Sequence, residues 1–344
     1  MDLDERRRTS QAQAAQEELG VKLNFGDRVT EAIAGKGNAA CVGLDPLLAR
    51  LPPAVRREVG LPDGAEAAHV PADLDEPAAE ALYVFGREVL RTAAAYVPVV
   101  KLNSAFFERY HAPGVRTYGR LVADAHALGL LVIGDVKRAD IGHSATQYAL
   151  AQLGGPPPDD GANTAAPDAV TVNPYLGFDG VGPFVDLAKA SGRGLFVLVQ
   201  TSNATAADVQ GLVLAEGGPL SESIARMVQR WATQDDLVGR HGYSCVGAVV
   251  APRDVNAARR LRALMPACLF LVPGFGAQGF GVEEVATCFK PDGTGALVNA
   301  SRSVIFAYEQ AEYRQRFGDD WRSCIAQACR DLVASLRRAV PPAG

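Results

Sequence analysis

Residues 130–141 read Leu-Leu-Val-Ile-Gly-Asp-Val-Lys-Arg-Ala-Asp-Ile, an apolar strand pattern that ends in alternating carboxylates and cations. Side chains on a strand repeat every two residues, so Asp135 and Lys137 are expected on one face. An apolar run of this kind is normally buried on both faces of a parallel sheet. Charges at its end therefore either leave the core as a solvated ion pair or face one another in a site. Opposite charges about 4 Å apart gain roughly 4 kcal/mol at an effective dielectric near 20, and desolvation consumes part of that gain. Stability alone is a poor reason to keep them there. The chemistry such a cluster supports is proton transfer combined with electrostatic stabilisation of developing charge.

A second constellation is Pro273-Gly274-Phe275-Gly276-Ala277-Gln278-Gly279, which follows an apolar strand pattern. Its G-x-G-x-x-G spacing suits a dinucleotide fingerprint, a phosphate cradle or a purely structural glycine turn. The dinucleotide reading is weak. The motif opens the seventh strand-helix unit, and the following strand, Ala296-Leu297-Val298-Asn299, lacks the ribose-binding acid. A phosphate cradle fits better, with backbone N–H groups on the anion and Gln278 and Arg302 as side-chain donors.

Eight short apolar runs bounded by turn residues are expected to position these groups: Ala39–Leu44, Val97–Leu102, Leu130–Val136, Ala169–Asn173, Gly194–Gln200, Cys245–Ala251, Cys268–Val272 and Gly295–Asn299. Helical patterns of crossover length lie between most of them: Ala78–Tyr96, Val115–Leu128, Ser144–Leu153, Gly182–Ser191, Leu220–Val238, Arg253–Leu264 and Gly281–Phe289. Such alternation implies a parallel α/β architecture. At 344 residues a closed (β/α)8 TIM barrel in a single domain is favoured over an open doubly wound sheet. The barrel is expected over residues 24–340, after a polar N-terminal tail at 1–23. Arg50–Asp75 and Gly154–Pro167 read as irregular excursions. Trp321–Val340 reads as a helix that only packs.

On this frame the polar residues converge. Asp45, Lys101 with Asn103, Asp135 with Lys137, Asn173, Ser202 and Arg302 all stand at carboxyl ends of strands, where barrel enzymes keep their active sites. Six strands contributing to one rim make a site. The incidental ion pair is the poorer reading.

Composition narrows the class. A net charge of −5 without a basic, aromatic-interleaved patch argues against a nucleic-acid partner. No apolar run reaches membrane-spanning length, and the first 20 residues lack the apolar core of a secretion signal. Six cysteines form no C-x-x-C pair, which suits free thiols in a reducing cytoplasm. The five histidines show no metal-ligand spacing, so no metal is expected.

Taken together the motifs resemble one family, orotidine 5′-phosphate decarboxylase. Val42-Gly43-Leu44-Asp45-Pro46, Val100-Lys101-Leu102-Asn103, Asp135-Val136-Lys137-Arg138-Ala139-Asp140-Ile141, the 273–279 loop and Ala300-Ser301-Arg302-Ser303 follow in the family's order. Thr-Val-Asn-Pro-Tyr-Leu-Gly at 171–177 and Gln-Thr-Ser-Asn at 200–203 look like its bacterial type 2 branch. The resemblance implies a homodimer with shared active sites that converts orotidine 5′-monophosphate to uridine 5′-monophosphate and CO2 without a cofactor. It implies that Asp45 and Lys101 contact the ribose hydroxyls and that Asp135 sits beside the substrate carboxylate. It also implies that Lys137 delivers a proton and that Asp140 and Ile141 reach into the neighbouring subunit's site. Ser202 is implied for the pyrimidine, Gln278 and Arg302 for the phosphate. Asn103, Ser144, Asn173 and Pro273 complete the expected substrate-binding set. Two departures stand on the rim: Ala139 where Gly is frequent, and Ser144 where Thr is common.

Loss of CO2 from that ring leaves a carbanion with no adjacent carbonyl to delocalise it, so electrostatics must supply most of the stabilisation. A lysine ammonium held by Asp135 and Asp140 would meet that charge and supply the proton. Two alternatives remain. One is a Mg2+-dependent sugar-phosphate decarboxylase or aldolase of the same superfamily, which the cation Lys101 disfavours. The other is a non-catalytic nucleotide-binding barrel, for which four alternating charges bring desolvation cost without return.

Overall fold

A computed structural model describes residues 24–61, 74–154, 165–234, 236–276 and 280–340. Its strands are β1 (Ala40–Leu44), β2 (Val99–Asn103), β3 (Leu131–Arg138), β4 (Ala169–Val172), β5 (Gly194–Gln200), β6 (Val246–Val250), β7 (Phe270–Val272) and β8 (Ala296–Ala300). All neighbours pair in parallel, and β1 returns to β8 through Ala40↔Val298, closing the barrel. That pairing removes the open-sheet alternative. The strand bounds follow the sequence expectation closely because nearly every strand residue is buried on both faces.

Helices Asp75–Ala93, His111–Ala127, Gly142–Leu153, Phe178–Ser191, Val255–Leu264 and Trp321–Ala339 occupy the expected positions. The last packs through Trp321 onto a cluster with Phe85, Phe306 and Tyr308, ring centroids 5.6–6.5 Å apart. Three features differ from expectation. The helix expected over Leu220–Val238 ends at Ala232. Further on, the Asp27 carboxylate accepts the backbone N–H groups of Arg240 and His241 at 3.1 and 2.9 Å, drawing that segment into a turn. The excursion after β1 contains a helix, Pro53–Glu58, and the Arg50 guanidinium before it lies 3.8 Å over the Phe306 ring and pairs with Glu309. Residues 62–73 and 155–164 of the two expected excursions lie outside the described residues.

The third difference is an unanticipated helix, Phe25–Lys36. Asn24 caps it at 2.7 Å from the Gly26 N–H, and Gly37 ends it in the left-handed region at φ 62°. Phe25 meets Phe196 edge to face at 5.9 Å and fills the space a Cβ on Gly194 would need. It closes the barrel floor, at the amino ends of the strands. Arg337 of the last helix donates to the Gly37 carbonyl at 3.2 Å, so both ends of the described chain, Asn24 and Val340, sit at this floor.

Candidate active site

The carboxyl ends of the strands form a cleft lined by Asp45, Lys101, Asn103, Asp135, Lys137, Ser202, Pro273 and Arg302. Asp135 is its centre. Its Oδ2 accepts from Lys101 Nζ at 2.7 Å, and its Oδ1 from Lys137 Nζ at 2.5 Å and Thr171 Oγ1 at 2.9 Å. Lys101 Nζ lies a further 3.6 Å from Asp45 Oδ1. The charges therefore alternate Asp45, Lys101, Asp135, Lys137 across the ends of three strands.

Simple strand alternation does not produce this arrangement. The β3–β4 register passes from Gly134↔Val170 to Arg138↔Val172, which marks a bulge, and Lys137 within it has φ 45°. A non-glycine residue in the left-handed region costs about 1–2 kcal/mol and persists only where its surroundings over-determine it. Lys101 and Asp135 are buried at 6% and 9% exposure, whereas the Lys137 side chain is half exposed towards the cleft.

Electrostatics keep the buried pair ionised. Burial works to raise the Asp135 pKa, but the Lys101 and Lys137 ammoniums overcome it and hold the carboxyl far below the usual carboxylate range. Burial likewise works to lower Lys101, and Asp45 and Asp135 overcome it, raising the ammonium's pKa. Beneath them, burial pushes the Cys41 thiol up to about 12, so it stays neutral. The cleft thus presents fixed charges that need no reorganisation when a substrate's charge changes.

The other expected site residues fall elsewhere on the chain. Asn173 turns its Oδ1 to the Tyr175 N–H at 3.0 Å, and Asp140 accepts from the Ile141 N–H at 2.8 Å. Ile141 and Ser144 are exposed at the start of the following helix, and none of these four lines the cleft of its own chain. Gln278 lies outside the described residues.

Several cleft residues had no individual role in the sequence reading: Thr171, Thr201, Phe275 and Ser301, which stand in its motifs, and Asn299. Thr171 shares strand parity with Asn173 and opens the 171–177 motif, but a single hydroxyl in the run Ala-Val-Thr-Val did not mark it as a site residue. Asn299 is 5% exposed; its Nδ2 donates to Ser301 Oγ at 3.2 Å, and its Oδ1 has no hydrogen-bond partner among the described residues. Gly43 leaves room for both, since a Cβ there would meet Ser301 Oγ at 1.9 Å and Asn299 Oδ1 at 3.0 Å. The exit of β5 is held by Arg253, which donates to the carbonyls of Ser202 at 2.9 Å and Asn203 at 2.5 Å.

A family model described as Orotidine 5′-phosphate decarboxylase / HUMPS family matches residues 40–316. An orotidine 5′-phosphate decarboxylase of Rhodopirellula baltica is 36% identical over 92% of this chain and 99% of its own. That of Deinococcus radiodurans is 39% identical over 82% and 89%. The solved Leishmania donovani OMP decarboxylase is similar in structure with a TM-score of 0.65 and 25% identity, covering 92% of this chain and 98% of that one.

Proposed function

This chain belongs to the orotidine 5′-phosphate decarboxylase / HUMPS family, and from that membership we infer that it converts orotidine 5′-monophosphate to uridine 5′-monophosphate and CO2 in pyrimidine biosynthesis. The observation that carries the reading is the unbroken contact from Lys101 through Asp135 to Lys137 at the base of the cleft. The Lys101 ammonium occupies the flank of Asp135 where a divalent cation would have to bind, which disfavours Mg2+-assisted enediolate chemistry.

The roles are those the family resemblance implies, and the lining of the cleft supports them. Arg302 takes the phosphate at one end of the cleft, with Pro273 and the loop after it alongside. Asp45, Lys101 and Asn103 meet the ribose, and Ser202 meets the pyrimidine. The substrate carboxylate then lies beside Asp135. When the bond to CO2 breaks, its electron pair stays on the ring carbon. The Lys137 ammonium stabilises that charge and transfers its proton to the same carbon, and solvent re-protonates the amine afterwards. Grip on the distant phosphate supplies binding energy that the reacting carbon does not.

The same reading makes the molecule a homodimer of residues 24–340 in the cytoplasm. Ile141, Tyr148, Leu150, Tyr175, Leu176 and Phe178 expose apolar surface on adjoining elements beside the cleft, with Tyr175 82% exposed. A second copy there would cover it and bring Asp140 and Ile141 to the partner's Lys137. The six buried free cysteines suit a reducing compartment.

Ultraviolet loss of orotidine monophosphate absorbance, followed with purified protein and excess EDTA, tests the assignment. Full activity with chelator, abolished in Lys137→Ala, is expected. Activity that requires Mg2+ would move the chain to the sugar-phosphate enzymes, and no activity at all would leave a binding protein.

A further inference from the structure

We propose that Thr171 is a positioning residue of this site, whose hydroxyl sets both the Asp135 carboxylate and the backbone from which Lys137 projects. The proposal rests on the decarboxylase reading above. It starts from the bulge. Between the paired positions Gly134↔Val170 and Arg138↔Val172, the three residues Asp135–Lys137 stand opposite the single residue Thr171. Such a bulge takes backbone groups out of the ladder, and a buried N–H left without a partner is costly. Thr171 Oγ1 accepts the Lys137 N–H at 3.0 Å.

A hydroxyl has one hydrogen, and the ionised Asp135 has none to give. The direction of the second bond is therefore settled: Thr171 donates to Asp135 Oδ1 at 2.9 Å. That same oxygen accepts from Lys137 Nζ. The bonds close a ring: Lys137 backbone to Thr171 hydroxyl, hydroxyl to Asp135, and Asp135 to the Lys137 ammonium. Thr171 is 1% exposed, so solvent does not compete for its hydroxyl. The ring couples the left-handed turn at Lys137 to the rotamer of Asp135. Without the hydroxyl, the turn loses its hydrogen-bonded support, and the ammonium is no longer fixed against the ring carbon that it must protonate.

Thr171→Val keeps the branched shape and loses both hydrogen bonds, while Thr171→Ser keeps the hydroxyl and loses only a methyl. For Thr171→Val, kcat is expected to fall roughly 10- to 100-fold, the scale of a misplacement of about 1 Å. KM for orotidine monophosphate and inhibition by uridine monophosphate should stay within about threefold, because the groups that hold phosphate and ribose are untouched. Thr171→Ser should recover kcat to within about fivefold of wild type. Thr171→Ala, whose vacated space opens on the cleft, serves if the valine variant does not fold.

Wild-type kcat in Thr171→Val overturns the proposal. So does an equal loss in the valine and serine variants, or a loss carried by KM. Wild type and Lys137→Ala are run alongside. If wild type itself has no activity, the decarboxylase reading fails; if wild type is active and only the threonine series is flat, the positioning role fails.

Discussion

Replacing Lys101 by Met keeps the apolar stem as far as Cε and removes a charge held between two carboxylates. Lys101 Nζ lies 2.7 Å from Asp135 Oδ2 and 3.6 Å from Asp45 Oδ1. At an effective dielectric near 20 these separations correspond to roughly 6 and 5 kcal/mol of gross attraction, much of it offset by desolvation of the ammonium. What the substitution exposes is the cost of the carboxylates it leaves behind, about 3–5 kcal/mol for a broken buried pair. Lys137 still touches Asp135, so the lower end, about 3 kcal/mol, is expected. For a chain of 344 residues that lowers Tm by roughly 4 °C near neutral pH. The pH dependence is diagnostic. In wild type the Asp135 pKa is depressed, so its contribution is present above the usual carboxylate range and is lost only far below it. In Lys101→Met only Lys137 still opposes burial, so that pKa rises from its wild-type position, and protonation relieves the penalty. The Tm gap between wild type and variant should therefore narrow as pH falls towards the carboxylate range. Adding Asp135→Asn should return roughly 2 kcal/mol of the loss, because removing both partners costs less than stranding one. A gap that stays constant with pH, together with a double variant no more stable than Lys101→Met, would refute this account of the site.

Three further outcomes follow from other parts of the molecule. Gly43→Ala puts a Cβ 1.9 Å from Ser301 Oγ and forces that hydroxyl aside beneath Arg302; KM should rise roughly tenfold with little change in Tm, and an unchanged KM would contradict the crowding. Burial acts to raise the Asp168 pKa, but bonds from His126 and Val132 N–H with the Arg28 charge hold it down to about 2. Its stabilisation, roughly 2 kcal/mol, is present above about pH 4 and lost from there to about pH 2. The melting curves of wild type and Asp168→Asn should thus converge over that interval, and parallel curves would exclude the linkage. Ile141, 54% exposed, tests the dimer: Ile141→Asp should shift the mass in light scattering to a monomer and remove most activity, and an active monomer would show each site to be complete in one chain.

The barrel was legible because the strands are short apolar runs, six of them ending at polar rim residues, and burial on both faces suits such runs. Asp135 and Lys137 were legible as a pair for a reason that is only half right. Alternation brings them to one face, yet it is the bulge and the left-handed Lys137 that accompany the contact of its ammonium with the Asp135 carboxylate. Thr171 and Asn299 stayed hidden because one hydroxyl or amide inside an apolar strand looks like tolerated polarity until its neighbours are known. The end of the helix at Ala232 could not be read locally either: the turn beyond it is held by Asp27, more than 200 residues away in sequence. The floor helix did carry local signals, Asn24 before it and Gly37 after it, but a weakly apolar run of 12 residues beside a polar tail gave them little weight.

The position of Asn24 and Val340 at the floor has a consequence for tethering. The cleft opens at the other end of the strands, which at about 3.3 Å per residue puts roughly 15 Å of packed barrel between either attachment point and the bound nucleotide. A tag or resin linkage joined directly at Asn24 or Val340 starts at the floor and not at the mouth. A junction made at Asn24 or Val340 therefore leaves every strand-to-helix loop of the rim untouched.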